Sequence, residues 1–507
     1  MSEAVRIELL PLGKKLAVQR GAPLQDVLFA QGVEFPCGGR GRCKGCRIKL
    51  LEGSLPVTSE DEQKLTRAEL TAGWRLACRA QATGDLKIEL AQWEAAILAD
   101  ESVFAFRPQE GWGVAVDLGT TTIVAQLLDL RTGHVLAVQT ALNSQAQHGA
   151  DIMSRVEFAL AGGLAELVRL IRQQIGGMIT ELLASAGGDG ELKNVVIVGN
   201  TVMHHLFCGI SVEPLSHYPF VPTNDGLQIF RANELGWNLS GNPTVRFLPC
   251  LGGFVGSDIL AGILATKLHA SELPVALLDL GTNGEIVVGN RQKMLCASTA
   301  AGPAFEGARI SMGMRAATGA ISEVHVQDGQ LRCHVLGNVP PRGICGSGLV
   351  DAVASGLDLG LVLPAGKLSA NQEWTLEPPV SLTQWDIREL QLAKGAIAAG
   401  VRILVQHWGA RMEDIVRVYL AGAFGNYIRR SSARRIGLVD FPPEKIQAAG
   451  NTALLGAKLA LFSLDEHDGS YSDLRKKIRH ISLNEDPGFH EIYVEQMQFP
   501  DGTAGRF

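Results

Sequence analysis

A chain of 507 residues with 46% apolar and 19% charged positions has ample material for packed cores, and its length suits about two to four domains. A formal net charge of −6 leaves no electrostatic footprint for nucleic acid, and no basic run suits a membrane surface. Nine cysteines are too sparse for a disulfide scaffold.

The opening MSEAVRIELLPLGKKLAVQR mixes charge with alternation and lacks a basic stretch followed by an apolar block. No signal peptide is expected, and the chain reads as cytoplasmic. Residues 5–10 and 15–19 alternate around LGKK, which predicts a β-hairpin, and PLQDVLFAQG (23–32) predicts a short helix ending at Gly32. CRIKLLEG (46–53) predicts a further strand and turn, and this first unit closes by residue 91. Residues 92–112 lack a clean period and read as a linker.

Between the helix and that strand stands CGGRGRCKGC, with Cys37, Cys43 and Cys46 spaced Cys-x5-Cys-x2-Cys, and Cys78 follows after 31 intervening residues. Three thiolates on one loop and a fourth from a distant strand suit a cluster partly wrapped by backbone. Gly38, Gly39, Gly41 and Gly45 let amides approach the sulfurs, and Arg40, Arg42 and Lys44 temper the negative charge of four thiolates. A four-cysteine zinc site is the alternative, but zinc ribbons usually present two CxxC knuckles and only Cys43 and Cys46 are so spaced. The pattern is close to plant-type 2Fe–2S spacing, and its longer first gap resembles adrenodoxin-like ferredoxins. The remaining cysteines (208, 250, 296, 333, 345) sit in apolar or glycine-rich runs and read as small hydrophobes.

From residue 113 glycine turns separate apolar strands. VAVDLGTTTIVAQLLDLRTGHVLAVQT (114–140) predicts three strands, and LAELVRLIRQQIGGMITELL (164–183) carries one apolar helical stripe at 164, 167, 171, 175, 178 and 182. The most apolar window, 194–212, is interrupted by Asn200, His204 and His205, so it predicts a buried strand and helix and no membrane span. VALLDLGTNGEIVVGNRQKMLCAST (275–299) then repeats the first motif, with Asp279, Gly281 and Thr282 standing 162 residues after Asp117, Gly119 and Thr120. KGAIAAGVRILVQHWG (394–409) predicts a helix with Ile397, Val401, Leu404 and Trp408 on one face, and VRVYLAGAFGN (416–426) echoes NVVIVGN (194–200). Two similar α/β halves in tandem, 113–270 and 271–507, follow from this duplication.

A lone DLGT is weak, whereas two copies set between apolar strands form a pattern. Gly119 and Gly281 permit turns whose amides can face phosphate oxygens; Thr120, Thr121, Thr282 and Asn283 add side-chain donors. Asp117 and Asp279 would hold Mg²⁺, which favours one or two carboxylates plus phosphate oxygens. Gly422 and Gly425 in LAGAFG supply a third turn suited to close approach of a nucleoside.

This set resembles the acetate and sugar kinase, Hsp-type chaperone and actin superfamily, whose halves close on ATP. By that resemblance VGNTVMHHLF (198–207) and GNTALLGAKLA (450–460) are its two connecting helices, and Ala423 departs from a frequent second glycine. A ferredoxin-like β-grasp unit (α+β) ahead of an α/β actin-like ATPase resembles the reductive activators of corrinoid proteins. Further runs carry that resemblance: GPAFEGARISMGMRAATGAI (302–321), GICGSGLVDAVA (343–354) and FHEIYVEQMQFP (489–500). It implies a 2Fe–2S cluster, ATP and Mg²⁺ as cofactors, and reduction of a Co(II) corrinoid protein to Co(I) for methyl transfer. Expected partners are a corrinoid protein of a methyltransferase system, an upstream electron donor and, as an open option, a second copy of the chain. Some relatives carry a separate middle domain; the short interval before the first DLGT leaves no room for one ahead of the ATPase part.

Smaller signals keep two readings. NSQAQHGADIMSR (143–155) offers His148, Asp151 and Arg155 as partner contacts, or a solvated loop with Asp151 capping a helix. Adjacent His204 and His205 face different sides of a helix and read as structural. Asp258 reads either as a water-orienting carboxylate or as a helix cap. Rival functions are a small-molecule kinase with a redox appendage, for which Asp258 is the candidate base, and a docking module that does not hydrolyse ATP. An activator of a radical dehydratase is disfavoured, because its cluster would be bound by cysteines of the ATPase halves.

Overall fold

The computed structural model describes residues 4–10, 14–29, 31, 41, 46–90 and 108–501, except 150, 189, 282, 308, 315, 317–318, 337–338, 371 and 464–468. Cys37, Cys43, Thr282 and most of the linker (92–107) therefore lie outside the described residues.

In the first unit β1 (Ala4–Leu10) pairs antiparallel with β2 (Lys14–Gln19), and helix α1 (Leu24–Phe29) follows. β3 (Arg47–Glu52), α2 (Ser59–Lys64), α3 (Arg67–Thr71), β4 (Trp74–Leu76) and β5 (Leu86–Leu90) complete it, with sheet order β2-β1-β5-β3-β4. The period-2 pattern explains the core: Val5, Ile7, Leu9, Ile48, Leu86, Ile88 and Leu90 all point inward. Thr58 with Asp61, and Thr66 with Glu69, form capping boxes that start α2 and α3. This is the β-grasp arrangement expected of a ferredoxin-like unit.

The duplicated motifs fold into duplicated sheets. β6 (Trp112–Leu118), β7 (Thr122–Asp129) and β8 (Val135–Leu142) run antiparallel in series. Two helices, α4 (Ile152–Phe158) and α5 (Leu164–Ala186), lead to β9 (Leu192–Gly199), which returns parallel to β6. Helix α6 (Thr201–Cys208), β10 (Gln228–Arg231), β11 (Thr244–Phe247) and α7 (Ser257–Ala265) follow, giving the order β10-β11-β9-β6-β7-β8.

The second half repeats this plan with β12 (Val275–Leu280), β13 (Gly284–Gly289) and β14 (Met294–Thr299). An inserted layer follows: β15 (Ala320–Gln327), β16 (Gln330–Val335), β17 (Gly343–Ile344), α8 (Gly346–Asp358), β18 (Glu373–Glu377) and β19 (Val380–Thr383). The chain then forms α9 (Gln384–Trp408), β20 (Arg417–Ala421), α10 (Gly422–Tyr427), α11 (Arg430–Arg435), β21 (Ile446–Gly450), α12 (Thr452–Ser463), α13 (Gly469–Lys476), β22 (Ile478–His480) and α14 (Phe489–Met497). Its sheet order is β21-β20-β12-β13-β14-β22, so β12, β13, β14, β20 and β21 take the places of β6, β7, β8, β9 and β11. No helix among the described residues is long and apolar enough to cross a membrane.

Leu167, Ile171, Ile175, Met178 and Leu182 of α5 are buried as the stripe requires, each contributing on the order of 1.5–3 kcal/mol. Two expectations need correction. Helix α9 starts at Gln384, ten residues before the predicted start, because Thr383 and Asp386 form a capping box ahead of the apolar run. And the helix that crosses α12 is α7, not α6: α6 packs on α5 in the first half's outer layer, while α7 and α12 lie together between the two sheets. They approach closely because the contact is built from small residues. A side chain at Gly456 would begin 2.1 Å from the Ala261 carbonyl oxygen, and one at Gly262 would meet Leu277 at 2.9 Å.

Candidate active site

The parallel strands of each half end at the same cleft, the place where open α/β sheets bind ligands. β6 ends in the first DLGT loop beside the Gly199-Asn200 turn of β9. β12 ends in the second, with Asp279 paired to Ala421 and thus beside Gly422. Asp117, Asp258, Asp279 and Glu285 converge there, each partly exposed.

Withdrawal from water dominates their electrostatics despite that exposure. It pushes Asp117 up to about 6, against a lowering hydrogen bond of 2.8 Å from Asn451 Nδ2. It pushes Asp279 up to about 7, with Asp117 adding repulsion, and Asp258 up to about 8, with Asp279 adding. Glu285 is raised well above its usual range by the same desolvation and by Asp258 and Asp279. Asp279 and Glu285 face each other across the β12–β13 pair, a juxtaposition of like charges that destabilises an ordinary hairpin. A cation or a proton relieves it. Among the described residues no group of three or more such side chains is arranged to hold a metal by itself. One or two carboxylates with phosphate oxygens suffice for Mg²⁺, and Asp117 and Asp279 come from opposite halves.

The first loop is bound from behind. Gly119 N–H donates to the Thr122 carbonyl at 3.1 Å, and a side chain at Gly119 would begin 2.6 Å from that oxygen. Asn143 Nδ2 donates to the Gly119 carbonyl (3.0 Å), Arg155 Nη2 to the Thr120 carbonyl (2.6 Å) and Asn200 Nδ2 to Thr120 Oγ1 (3.0 Å). The Thr121 carbonyl accepts from Asn143 N–H at 2.9 Å. In the second loop Gly281 N–H donates to the Asn283 carbonyl at 3.0 Å. Gly422, at φ +80°, leaves space for the Asp279 carboxylate 2.7 Å from where its own side chain would begin. Gly425 packs on the backbone of Leu420, and Phe424 stacks on Phe305 at 4.6 Å.

In the first unit Arg47 pairs with Leu76, so Cys46 and Cys78 emerge at the same end of the β3–β4 pair. Cys46 carbonyl accepts from Ala77 N–H at 3.0 Å. Cys46 is buried and Cys78 partly exposed. The C-terminal cysteines differ: desolvation raises Cys250 well above the usual thiol range and Cys296 up to about 12, which suits inert packing.

The remaining candidates separate. Asp151 caps α4 through Ser154 N–H (2.9 Å), and His148 stacks on Phe158 at 4.1 Å. Arg155 is fully buried, so it is not a surface contact. His204 and His205 are buried, with His204 held neutral by desolvation down to about 3. Asp258 sits in the first turn of α7, whose N-cap is Gly256, and faces the other carboxylates. Glu285, Asn143, Asn200 and Asn451 were not singled out as site residues from the sequence. Glu285 had a signal: the second motif runs DLGTNGE where the first runs DLGTTTI.

A cysteine-bearing β-grasp unit joined to two actin-like halves with a carboxylate-lined cleft defines an iron–sulfur protein with a nucleotide-binding engine. The 2Fe–2S iron–sulfur cluster binding domain matches residues 7–83, the RACo middle region residues 112–271, and the C-terminal ASKHA domain of RACo residues 274–507. The chain is 34% identical over 423 residues to the corrinoid activation enzyme RamQ of Eubacterium limosum, covering 77% of this chain and 71% of that one. It is 28% identical over 426 residues to the Co(II) methylated amine-specific corrinoid protein reductase of Methanosarcina barkeri, covering 76% and 77%. A solved reductive activator for corrinoid, iron-sulfur protein superposes with TM-score 0.68 at 26% identity over 98% of both chains. The chain belongs to the RACo family of reductive activators of corrinoid proteins. The stretch that matches the RACo middle region begins at residue 112 and is the one that carries the first DLGT loop.

Proposed function

We propose that this enzyme uses ATP to pass one electron to a Co(II) corrinoid protein of a methyltransferase system, restoring Co(I). The observation that carries this reading is the joining, on one chain, of a ferredoxin unit to a two-loop cleft of RACo type. In our division residues 1–91 form the electron-carrying unit, 92–112 a linker, and 113–270 and 271–507 the two halves. Cys37, Cys43, Cys46 and Cys78 would hold a 2Fe–2S cluster, which supplies one-electron carriage. Asp117 and Asp279 would hold Mg²⁺ against phosphates bound by Gly119, Thr120, Thr121, Gly281, Thr282 and Asn283, with Gly422 and Gly425 flanking the nucleoside.

The coupling has a physical rationale. An uphill step of about 100 mV holds a one-electron transfer back roughly 50-fold, about 2.3 kcal/mol. Nucleotide offsets this only if it binds the productive state more tightly than the resting one. Closure on Mg-ATP meets that condition, because it brings a cation between carboxylates that otherwise repel. Anaerobic visible spectra of a Co(II) corrinoid protein with the pre-reduced enzyme test the reading. A Co(I) band that requires Mg-ATP is expected. ATP consumption without that band, stimulated by a small hydroxylated acceptor, would support a kinase in its place.

A further inference from the structure

We propose that Arg155 is the positioning residue that gives the first DLGT loop its phosphate-facing form. The inference rests on reading the cleft as the nucleotide site and adds a residue outside the loop itself. Arg155 is fully buried, yet its hydrogen-bond partners are all neutral: the Gly149 carbonyl (2.9 Å), Gln145 Oε1 (3.3 Å), Met203 Sδ (3.5 Å) and the Thr120 carbonyl (2.6 Å). Asp151 acts on it electrostatically but is engaged in capping α4, and Arg155 has no ion pair among the described residues. A buried guanidinium without a paired anion is unfavourable unless something else supplies negative charge.

The loop geometry identifies what does. In a trans peptide the carbonyl and the next residue's N–H point to opposite sides. Arg155 draws the Thr120 carbonyl inward, so Thr121 N–H turns away from the packed interior; Asn143 does the same for Gly119 and thus for Thr120 N–H. Neither N–H has an acceptor among the described residues. Two successive outward amides backed by a fixed positive charge form an anion-binding concavity. Polyphosphate then adds to the negative charge that Asp151 alone supplies near Arg155.

The test is titration of the full-length protein and its Arg155→Met and Arg155→Lys variants with adenosine, Mg-ADP and Mg-ATP. Loss of the backing charge and donor should weaken Mg-ATP binding about tenfold or more in Arg155→Met, the scale of a lost charge-assisted hydrogen bond. Adenosine binding and the visible spectrum of the ferredoxin unit should be unchanged, and Arg155→Lys should recover part of the loss. A merely structural role would move adenosine and ATP together. If Arg155→Met fails to melt cooperatively, the equally charge-free Arg155→Gln takes its place. Mg-ATP affinity within twofold of wild type in the folded variant overturns the proposal. Wild-type protein that binds no nucleotide would instead overturn the reading of the cleft.

Discussion

The two DLGT loops began as one motif and are held in different ways. In the first, side chains from three other segments hold residues 119–120: Asn143 and Arg155 donate to the backbone carbonyls and Asn200 to the Thr120 hydroxyl. Its glycine is pressed against the Thr122 carbonyl. In the second, no such grip reaches Gly281 among the described residues, its surroundings are open to 3.8 Å, and the close contact has moved to Gly422 against Asp279. The duplicate therefore fixes a carboxylate where the original fixes amides. Glu285 opposite Asp279 deepens the contrast, since in the first copy it is Val124 that faces Asp117. Similar letters thus sit in different surroundings, a gripped turn on one side and facing carboxylates on the other.

The sharpest way to break this comparison is Asp279→Asn. On the proposed reading this removes a charge that would hold Mg²⁺, and it should lower ATP-dependent cobalt reduction about 100-fold or more. Nucleotide affinity should fall much less, the reverse of the balance expected for Arg155. Steady-state kinetics that show equal losses in kcat and affinity at both sites would erase the distinction. A smaller effect separates the glycines: Gly119→Ala should cost about 1–3 kcal/mol in denaturant unfolding, because its new carbon meets backbone. Gly281→Ala, with space around it, should stay within about 0.5 kcal/mol.

The smallest effect is a pH dependence. Raised folded-state values mean that the native cleft holds protons between about pH 4 and 8 that the unfolded chain has released. These groups stabilise the ligand-free protein fully below that window and lose the contribution as pH rises through it. Glu285→Gln should therefore flatten the fall in melting temperature from pH 5.5 to 8, and Mg-ATP should flatten it in the wild type. A wild-type profile that matches Glu285→Gln at every pH would show that the carboxylates do not interact.

Much of this was legible from the sequence because repetition is visible in one dimension. Both DLGT turns, the β9 and β20 echoes and the α5 stripe follow from period and spacing. What stayed hidden depends on meetings between distant segments. Arg155 looked like a surface residue because it stands in a polar run; only the fold turns it 35 positions back toward Thr120. Asn451 reaches Asp117 across 334 residues, and nothing near either one announces it. The identity of the helix crossing α12 failed for a related reason: α6 and α7 both follow glycine turns, and the layer each joins is decided by packing. The start of α9 is a different kind of miss, since its capping box was in plain view at Thr383.

The glycine-lined contact of α7 with α12 bears on how far the cleft can move. Helices that interlock large side chains resist rotation, because each knob must leave its hole before the axes can turn. Here the contact surface is nearly smooth, with Gly456 against the Ala261 backbone and Gly262 close by. Such a contact resembles a plain bearing and offers little steric resistance to a small rotation. A small turn at that bearing becomes a larger displacement at the loops, in proportion to their distance from it. The work of opening is then set at the rim, by carboxylates and phosphates, and not at the axle.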